Sequence, residues 1–376
     1  MSSLLRLLDA FLRLFRAGSV AGAAGASGEA SPARPGRFSR LSALARWEVL
    51  LAVILMLLIW EGTNVSRVFL TGGNFSNLTS AVMEVAIMAL PMTLIIITGE
   101  IDLSVESTVG LAGALLGWLW AAGVPLEVGI PIVLIAGAFA GLFNGLLVTR
   151  LGLPSLVVTL GTLALFRGFA NVILGTRAIS NFPSGFVQFG FGNVPGTPIP
   201  WPLVVFVILG VVFWLVLHAT WIGRQVFALG KNKDAARYSG VRVGTLKTGL
   251  FVVNGLVAAL AGVILTARFS SARSDNGTNL TLTVVTIVLL GGVDINGGKG
   301  TIPGVILAVF TLAVLQSALR LIQVPGEYQA VAVGLLLIVS VTAPYLARQS
   351  RSFIGRARSG RLPPAGSTVP GEVVSR

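Results

Sequence analysis

Ten long apolar runs, separated by shorter polar segments, dominate the chain. The hydrocarbon core of a bilayer is about 30 Å thick, and about 20 apolar helical residues cross it. The eighth run is short for that thickness, so its helix either starts earlier, near Asn276, or lies partly buried among other helices. The pattern predicts an all-α, polytopic membrane protein with about ten transmembrane helices. The runs cover residues 43–62, 75–98, 104–123, 128–149, 153–174, 201–218, 247–267, 280–292, 301–319 and 327–346.

The composition indicates a membrane protein. Mean hydropathy is +0.88, and 11% of the residues are charged, whereas charged residues make up about 25% of soluble domains. A membrane β-barrel would alternate apolar and polar positions, which the unbroken runs do not. The chain has no cysteine and one histidine, His218, which excludes disulfides and argues against a zinc site with histidine ligands. No metal site is predicted.

The charge distribution predicts the orientation. The formal net charge is +13, but the cations gather at the two ends of the chain and in the 220–246 loop, so nucleic-acid binding is not expected. With the N-terminus inside, 21 of the 27 Lys and Arg fall in cytoplasmic segments, five fall outside, and Arg167 lies within a span. Cytoplasmic loops carry an excess of Lys and Arg. Both termini and the 220–246 loop are therefore predicted to be cytoplasmic.

The two ends of the chain differ from the membrane domain. Residues 4–16 place leucines and phenylalanines at helical spacing, which predicts an amphipathic helix on the membrane surface; interspersed charges argue against a signal peptide. Residues 17–36 read as a flexible Gly/Ala/Ser linker. We therefore expect a cytoplasmic region over 1–42, a membrane domain over 43–347 and a basic cytoplasmic tail over 348–376.

The 220–246 loop contains a short helix with both ends marked in the sequence. Asn232 is placed to cap the helix, and Asp234 suits its positive first turn. Arg237 suits the last turn, and Gly240 is placed to end the helix in the left-handed conformation. So short a helix is unstable alone, which favours docking on a cytoplasmic partner over a merely solvated loop. The candidate coupling residues are Gly230, Asn232, Asp234, Ala235, Ala236, Arg237, Ser239 and Gly240.

Two short segments resemble each other. Residues 98–104 (TGEIDLS) follow the second run and residues 290–296 (LGGVDIN) follow the eighth, and both place an Asp three residues after a Gly, at Asp102 and Asp294. An internal duplication of one half of the protein would explain this echo. Chance similarity between short Gly/Asp turns is the alternative.

Glycines at positions 137, 141 and 145 of the fourth run recur every four residues, and Gly113 and Gly117 do so in the third. Such spacing lets helix backbones approach closely. We therefore expect a tightly packed bundle.

Two charged residues fall inside the runs. Arg167 either snorkels toward the outer surface, pairs with Glu84 or contacts a substrate. Glu84 is a candidate proton carrier, but no second acid lies deep in another span, because Glu100, Asp102 and Glu106 cluster at a predicted inner end. A proton- or ion-coupled secondary transporter is therefore kept as an alternative.

Neutral polar side chains are available to line a pathway, and hydroxylated sugars need such donors and acceptors. Any one of them could equally form an interhelical hydrogen bond. The chain has none of the hydrolase, metalloprotease or Walker A motifs, so it is predicted to be no enzyme and to bind no cofactor itself. The candidate pathway residues are Thr93, Asn144, Thr159, Thr162, Arg167, Asn171 and Asn254.

Four segments of the chain, 98–105, 144–168, 223–241 and 285–305, resemble permeases of ABC-type sugar importers, in the family's order. The resemblance covers about residues 45–345 and points to the ribose, xylose, arabinose and rhamnose branch. Details such as GEIDLSV and LFRG are most similar to rhamnose permeases. Permeases for autoinducer-2, a furanosyl signal, are close relatives and remain an alternative. The turn residues of the resemblance are Gly99, Asp102, Gly291, Gly292, Asp294, Gly297 and Gly298.

The resemblance implies partners. It implies a second permease copy or paralogue, an extracytoplasmic sugar-binding protein and an ATP-binding protein, often a fused double ATPase. The ATP-binding protein would hold ATP and Mg²⁺. The permease itself would be a multi-pass protein of the bacterial inner membrane. Residues 231–242 correspond to the loop that such permeases insert into the ATPase, with Asp234 in place of the usual Glu. One departure is Thr281-Leu282, where the family commonly has Glu-Leu. It weakens the choice of rhamnose.

Overall fold

The computed structural model describes residues 37–338, 340 and 342. The predicted surface helix 4–16, the linker 17–36 and the tail 348–376 lie outside these residues. Within them the fold is helical, and extended backbone pairs only in two isolated bridges, Ile179–Ala272 and Asn193–Pro200. The helices, numbered in chain order, are α1 (Arg37–Val65), α2 (Gly72–Ser80), α3 (Met83–Ile97), α4 (Val105–Ala121), α5 (Leu126–Arg150), α6 (Ser155–Leu174), α7 (Ser184–Phe191), α8 (Trp201–Ala219), α9 (Trp221–Lys231), α10 (Lys233–Tyr238), α11 (Val243–Phe269), α12 (Leu280–Leu290), α13 (Ile302–Leu321) and α14 (Gly326–Ile338).

Six of the described helices are long and apolar enough to cross a membrane, and the pair α2 and α3, bent by 49°, makes a seventh candidate. The shorter apolar helices α4, α12 and α14 account for the other three predicted runs. The prediction of an all-α polytopic membrane protein is therefore confirmed. The short eighth run forms α12, which begins at Leu280 rather than near Asn276 and is buried along most of its length. Burial among other helices, the second alternative, explains its shortness.

Helix α11 is the centre of the bundle. Of its apolar window, 78% is buried inside the protein, and α5 packs along it with the predicted glycines facing its backbone. A Cβ added to Gly137 would lie 2.6 Å from the Gly255 carbonyl oxygen, and one added to Gly145 would lie 2.9 Å from the Thr248 Cα. No side chain fits at such separations, so these glycines permit the close approach that the spacing predicts.

The two similar turns lie together at one end of the bundle. Helices α3 and α12 end at Ile97 and Leu290, and the amide of Gly298 donates a 2.8 Å hydrogen bond to the Ile97 carbonyl. The 220–246 loop meets the same junction through Gly230. We call this end, predicted to be cytoplasmic, the inner end.

Candidate coupling site and transport path

Helix α10 is short and capped as the sequence predicts. The Oδ1 of Asn232 accepts a 2.9 Å hydrogen bond from the amide of Ala235. Asp234 lies in the first turn and Arg237 in the last. The backbone then turns at Gly240, whose φ of +85° lies in the left-handed region that glycine adopts freely. The structure narrows the predicted 232–240 helix to 233–238 but keeps both of its caps.

In the described part of the chain, most of the surface of α10 is exposed. Of its six residues only Ala236 is buried, and Tyr238 is 91% exposed. The Tyr238 ring is therefore not stabilised by burial in the core of the described residues. Aromatic residues are enriched where partner proteins dock. The coupling candidates Asp234, Ala235, Arg237 and Ser239 share this exposed surface.

Helix α9, which leads into α10, is clasped to the bundle by backbone contacts at Gly230. A Cβ added there would overlap the carbonyl oxygen of Ile97 and the amide nitrogen of Gly298, and would lie 3.0 Å from the Gly298 Cα. We call this junction of Ile97, Gly230 and Gly298 the glycine clasp. It joins the coupling loop directly to the ends of α3 and to the turn before α13. The sequence identifies Gly230 and Gly298 as candidate residues but does not predict that they contact each other.

The turn after α12 is built from its own polar groups. The Oδ1 of Asp294 accepts hydrogen bonds from the amide of Asn296 at 3.1 Å and from its side chain at 3.3 Å. Gly297 and Gly298 adopt φ values of +84° and +76°. Of the other turn glycines, Gly99 also has a positive φ and faces Asn296 across the junction, while Gly291 and Gly292 pack against α13 and Trp47. Gly99, Gly297 and Gly298 therefore pack together at the inner end.

A buried ion pair links the start of α11 to the turn after α3. The Nζ of Lys247 donates to Glu100 Oε1, and both side chains are largely buried. In the sequence Lys247 is only one of the cytoplasmic cations beside the coupling loop. Nothing near it in the chain indicates that it pairs with Glu100. The pair ties α11, which follows α10 in the chain, to the segment 98–104.

Segment 98–104 turns back into the bundle. The Asn254 Nδ2 donates a 2.8 Å hydrogen bond to the Asp102 Oδ2, and Asn254 lies about 10 Å deeper along α11 than Lys247 at 1.5 Å per residue. Asp102 Oδ1 accepts from the amide and hydroxyl of Ser104, at 2.9 and 2.6 Å. Asn144 Nδ2 in turn donates to the Ser104 hydroxyl at 2.8 Å. The sequence groups Asp102 with Glu100 and Glu106 at the inner end; the structure buries Asp102, because the connection folds inward from that end.

The three predicted pathway threonines are buried. Each hydroxyl donates to a carbonyl four residues earlier on its own helix: Thr93 to Ala89, Thr159 to Ser155 and Thr162 to Val158. This is the common arrangement of a hydroxyl inside an apolar helix. Asn144 and Asn254 are likewise buried, in the network around Asp102.

Arg167 does not pair with Glu84. Its Nη1 donates to the carbonyls of Ser274 at 2.7 Å and Asn276 at 3.3 Å, whereas Glu84 accepts a 2.6 Å hydrogen bond from Arg268. Of the alternatives for Arg167, pairing with Glu84 is therefore wrong. Arg167 holds the connection between α11 and α12 against α6. The sequence could not locate this contact, because the acceptors are backbone carbonyls.

That connection, residues 270–279, enters the bundle and meets α4. A Cβ on Gly277 would lie 3.0 Å from the Glu106 carbonyl, and the amide of Thr281 donates to Glu106 Oε2 at 3.2 Å. A carboxylate at a helix N-terminus is stabilising. Glu106 thus supplies, from α4, a negative charge at the start of α12, beside Thr281, the position at which the resemblance predicts a Glu.

A cleft of about 430 Å³ opens at the outer end. Within it Arg273 donates hydrogen bonds of 2.8 and 2.9 Å to Asp275, and this holds the pKa of the Asp275 carboxyl below its ordinary value. Asn171, the one exposed residue of the predicted pathway set, belongs to the same cleft. The lining residues are Asn171, Gly175, Thr176, Arg177, Arg273, Ser274 and Asp275.

Most of the chain matches one known protein family. Residues 74–341 match a family described as the permease component of branched-chain amino acid transport systems. The chain belongs to this family. It is a membrane-spanning permease subunit of an ABC-type importer, a multi-pass component of the inner membrane.

Curated relatives narrow the branch of the family. The chain is 39% identical over 303 residues to the autoinducer 2 import system permease protein LsrD of Yersinia enterocolitica, covering 78% of this chain and 90% of the relative. The LsrD proteins of Yersinia pseudotuberculosis and Yersinia pestis are 38% identical over the same coverage. No solved structure matches the chain. The expectation of rhamnose finds no support among these relatives, whereas autoinducer-2 was the stated alternative.

Proposed function

We propose that this permease imports autoinducer-2 or a closely similar furanosyl compound, driven by ATP hydrolysis on a partner subunit. The similarity to the LsrD permeases supports the substrate class. The observation that carries the mechanism is α10, a capped helix with a free surface that the glycine clasp joins to the bundle. The chain itself supplies no catalytic residue and no cofactor site to this scheme. ATP and Mg²⁺ would be held by the ATP-binding protein, which could be two subunits or one fused double ATPase.

In this mechanism α10 docks in the ATP-binding protein. When that protein closes on ATP it displaces α10, and the displacement passes through Gly230 to the backbone at Ile97 and Gly298. Because the atoms in contact are backbone, they transmit a movement that flexible side chains would absorb. Helices α3 and α13 then change their tilt, and the path opens to one side of the membrane at a time.

The path itself is proposed to run along an open face of α6. Gly161, Ala164, Gly168 and Asn171 recur on one side of that helix and are exposed. A Cβ added to Gly161 or Gly168 would meet nothing within 4 Å. A second permease copy or a paralogue facing this side would enclose a passage that ends in the outer cleft, where an extracytoplasmic binding protein delivers the substrate. The small side chains leave room for a hydroxylated solute.

Uptake measurements test the proposal. Replacing residues 234–240 by a Gly/Ser segment should leave membrane insertion intact and abolish both co-purification of the ATPase and uptake of autoinducer-2. Unlabelled autoinducer-2 should compete for uptake in the wild type, and rhamnose should not. Retained uptake in the loop variant refutes the coupling scheme, while competition by rhamnose alone refutes the substrate.

The alternative of another class, an ion-coupled secondary transporter, predicts a different result. Collapsing the membrane potential and the pH gradient while ATP is maintained should leave uptake by an ATP-driven importer unchanged. A secondary transporter would stop.

A further inference from the structure

The inward turn between α3 and α4 holds a carboxylate without a positive partner. Asp102 is 2% exposed, and no Lys, Arg or His in the described part of the chain forms an ion pair with it. The nearest basic residue along α11, Lys247, is engaged by Glu100. An ionised carboxylate in such surroundings is costly unless something neutralises it.

The amides around this carboxylate carry acceptors that nothing satisfies. Asn254 and Asn144 each use their Nδ2 on the turn, at 2.8 Å from Asp102 and from Ser104. Within the described residues their buried carbonyl oxygens have no hydrogen-bond partner, and the buried Ser107 hydroxyl, one helical turn on from Ser104, also lacks one there. Each of these oxygens belongs to the amide whose nitrogen contacts the turn, at Asp102 for Asn254 and at Ser104 for Asn144. The unpaired groups on this turn and its two amides are therefore oxygens, which suit a positive charge; the remaining unpaired buried group in the described residues, Arg167 Nη2, belongs to the arginine that binds the Ser274 and Asn276 carbonyls.

We propose that Asp102, Asn144 and Asn254 form a binding site for one small monovalent cation, with Na⁺ as its probe. A single carboxylate neutralises one positive charge, so a divalent ion would leave net charge buried. Oxygen ligands suit hard cations, and no three His, Cys, Asp or Glu side chains meet in the described residues to form a transition-metal site. In membrane proteins, unwound backbone between short helices is a recurrent setting for bound Na⁺.

The location gives the cation a structural role. It would join α4, α5 and α11 at the point where segment 98–104 penetrates the bundle. This inference does not depend on which solute is transported or on ATP as the energy source. It concerns a resident ion and requires no ion movement in the transport cycle.

Thermal unfolding of the purified full-length permease in nanodiscs tests the site. The wild type is compared in NaCl and in N-methyl-glucamine chloride at equal ionic strength and pH. A ligand that binds only the folded state raises its stability, so we expect a saturable rise in Tm of about 2 °C with Na⁺. Asp102→Asn keeps the shape of the side chain and should abolish the dependence on Na⁺. Asp275→Asn, a matched change in the exposed outer loop, should retain it.

Three outcomes overturn the proposal. The first is equal wild-type stability in the two salts, and the second is a Na⁺ effect that survives Asp102→Asn. The third is wild-type stability that follows pH instead of Na⁺, which would mean that a proton neutralises Asp102; Glu100 and Glu106 are the other carboxylates on this part of the chain. If Asp102→Asn does not accumulate, binding of radioactive sodium to the wild type decides alone.

Discussion

Gly230→Ala is the sharpest test of how movement passes from the coupling loop to the bundle. The added methyl group would overlap the Ile97 carbonyl oxygen and the Gly298 amide, both of which are backbone atoms. No side chain can rotate away, so α9 must separate from the junction. The 2.8 Å hydrogen bond between Gly298 and Ile97 lies directly beneath the new group and is strained with it.

The size of the effect can be estimated from these contacts. Overpacking costs about 1–3 kcal/mol, and losing the hydrogen bond costs about 1 kcal/mol. Alanine has a helix propensity better than that of glycine by about 1 kcal/mol, which offsets part of this loss. The net destabilisation is about 1–3 kcal/mol, which corresponds to a Tm lower by about 2 °C or more.

The assay combines uptake, ATPase co-purification and thermal unfolding. We expect Gly230→Ala to retain the ATPase, since the exposed surface of α10 is untouched, and to lose uptake by about tenfold or more, the effect of 1.4 kcal/mol on the coupled step. Gly249→Ala is the matched control, because Gly249 is also helical and an added Cβ there meets nothing within 4 Å. Wild-type uptake and Tm in Gly230→Ala would show that the clasp transmits nothing.

Three further predictions concern contacts described above. Tyr238→Ala should reduce ATPase co-purification without lowering Tm, because the side chain is 91% exposed. The control Tyr328→Ala, also at an exposed tyrosine, should bind the ATPase normally. Equal binding by both variants would contradict docking at α10. Arg167→Leu should lower Tm, since two buried carbonyls lose a charged donor worth about 1–3 kcal/mol, and Arg167→Lys should recover part of that stability; if Arg167→Leu unfolds like the wild type, the contact holds nothing in place. Lys247→Met should cost about 3–5 kcal/mol by leaving Glu100 buried without its partner, and adding Glu100→Gln should restore much of it in a double-mutant cycle; additive losses would exclude coupling between the two.

Local signals in the sequence predicted local structure well. The ten apolar runs, the Asn232 cap, the terminating Gly240 and the close-packing glycines of α5 all depend on residues near one another in the chain, or on a period along one helix. Within the described residues each appears where the pattern places it, except that the second run is divided between α2 and α3; the tenth run is described only to residue 338 and at 340 and 342. The order of the runs also places segments 98–104 and 290–296 at the same end of the bundle, and the hydrogen bond from Gly298 to Ile97 lies there.

Contacts between distant segments were beyond such signals. The order of the runs places Asp102 at the inner end with Glu100 and Glu106, yet the connection folds inward to reach Asn254, 152 residues later. Pairing with Glu84 is one of three alternatives that the sequence leaves open for Arg167, but its acceptors are the backbone carbonyls of Ser274 and Asn276, and every residue has such a carbonyl. Neither a backbone acceptor nor an inward turn requires a particular residue type, so neither can be recognised from the sequence.

The pathway residues show the same limit. Polarity alone selected Thr93, Thr159 and Thr162, whose hydroxyls are satisfied within their own helices. The open side of α6 is made of small residues such as Gly161 and Gly168, which polarity does not mark. That this side of α6 lines the path stays a proposal.

Helix α11 runs without a break from Val243 to Phe269, a rod of about 40 Å at 1.5 Å per residue. It meets Glu100 near its first turn, Asp102 midway and Glu84 near its last, so three acidic partners are strung along one stiff axis. A tilt of its inner end at Val243 would therefore move its outer end at Phe269 as well. A proline placed midway would break the helix. Its inner half would then move with the ATP-driven coupling loop, while its outer half would no longer follow that movement.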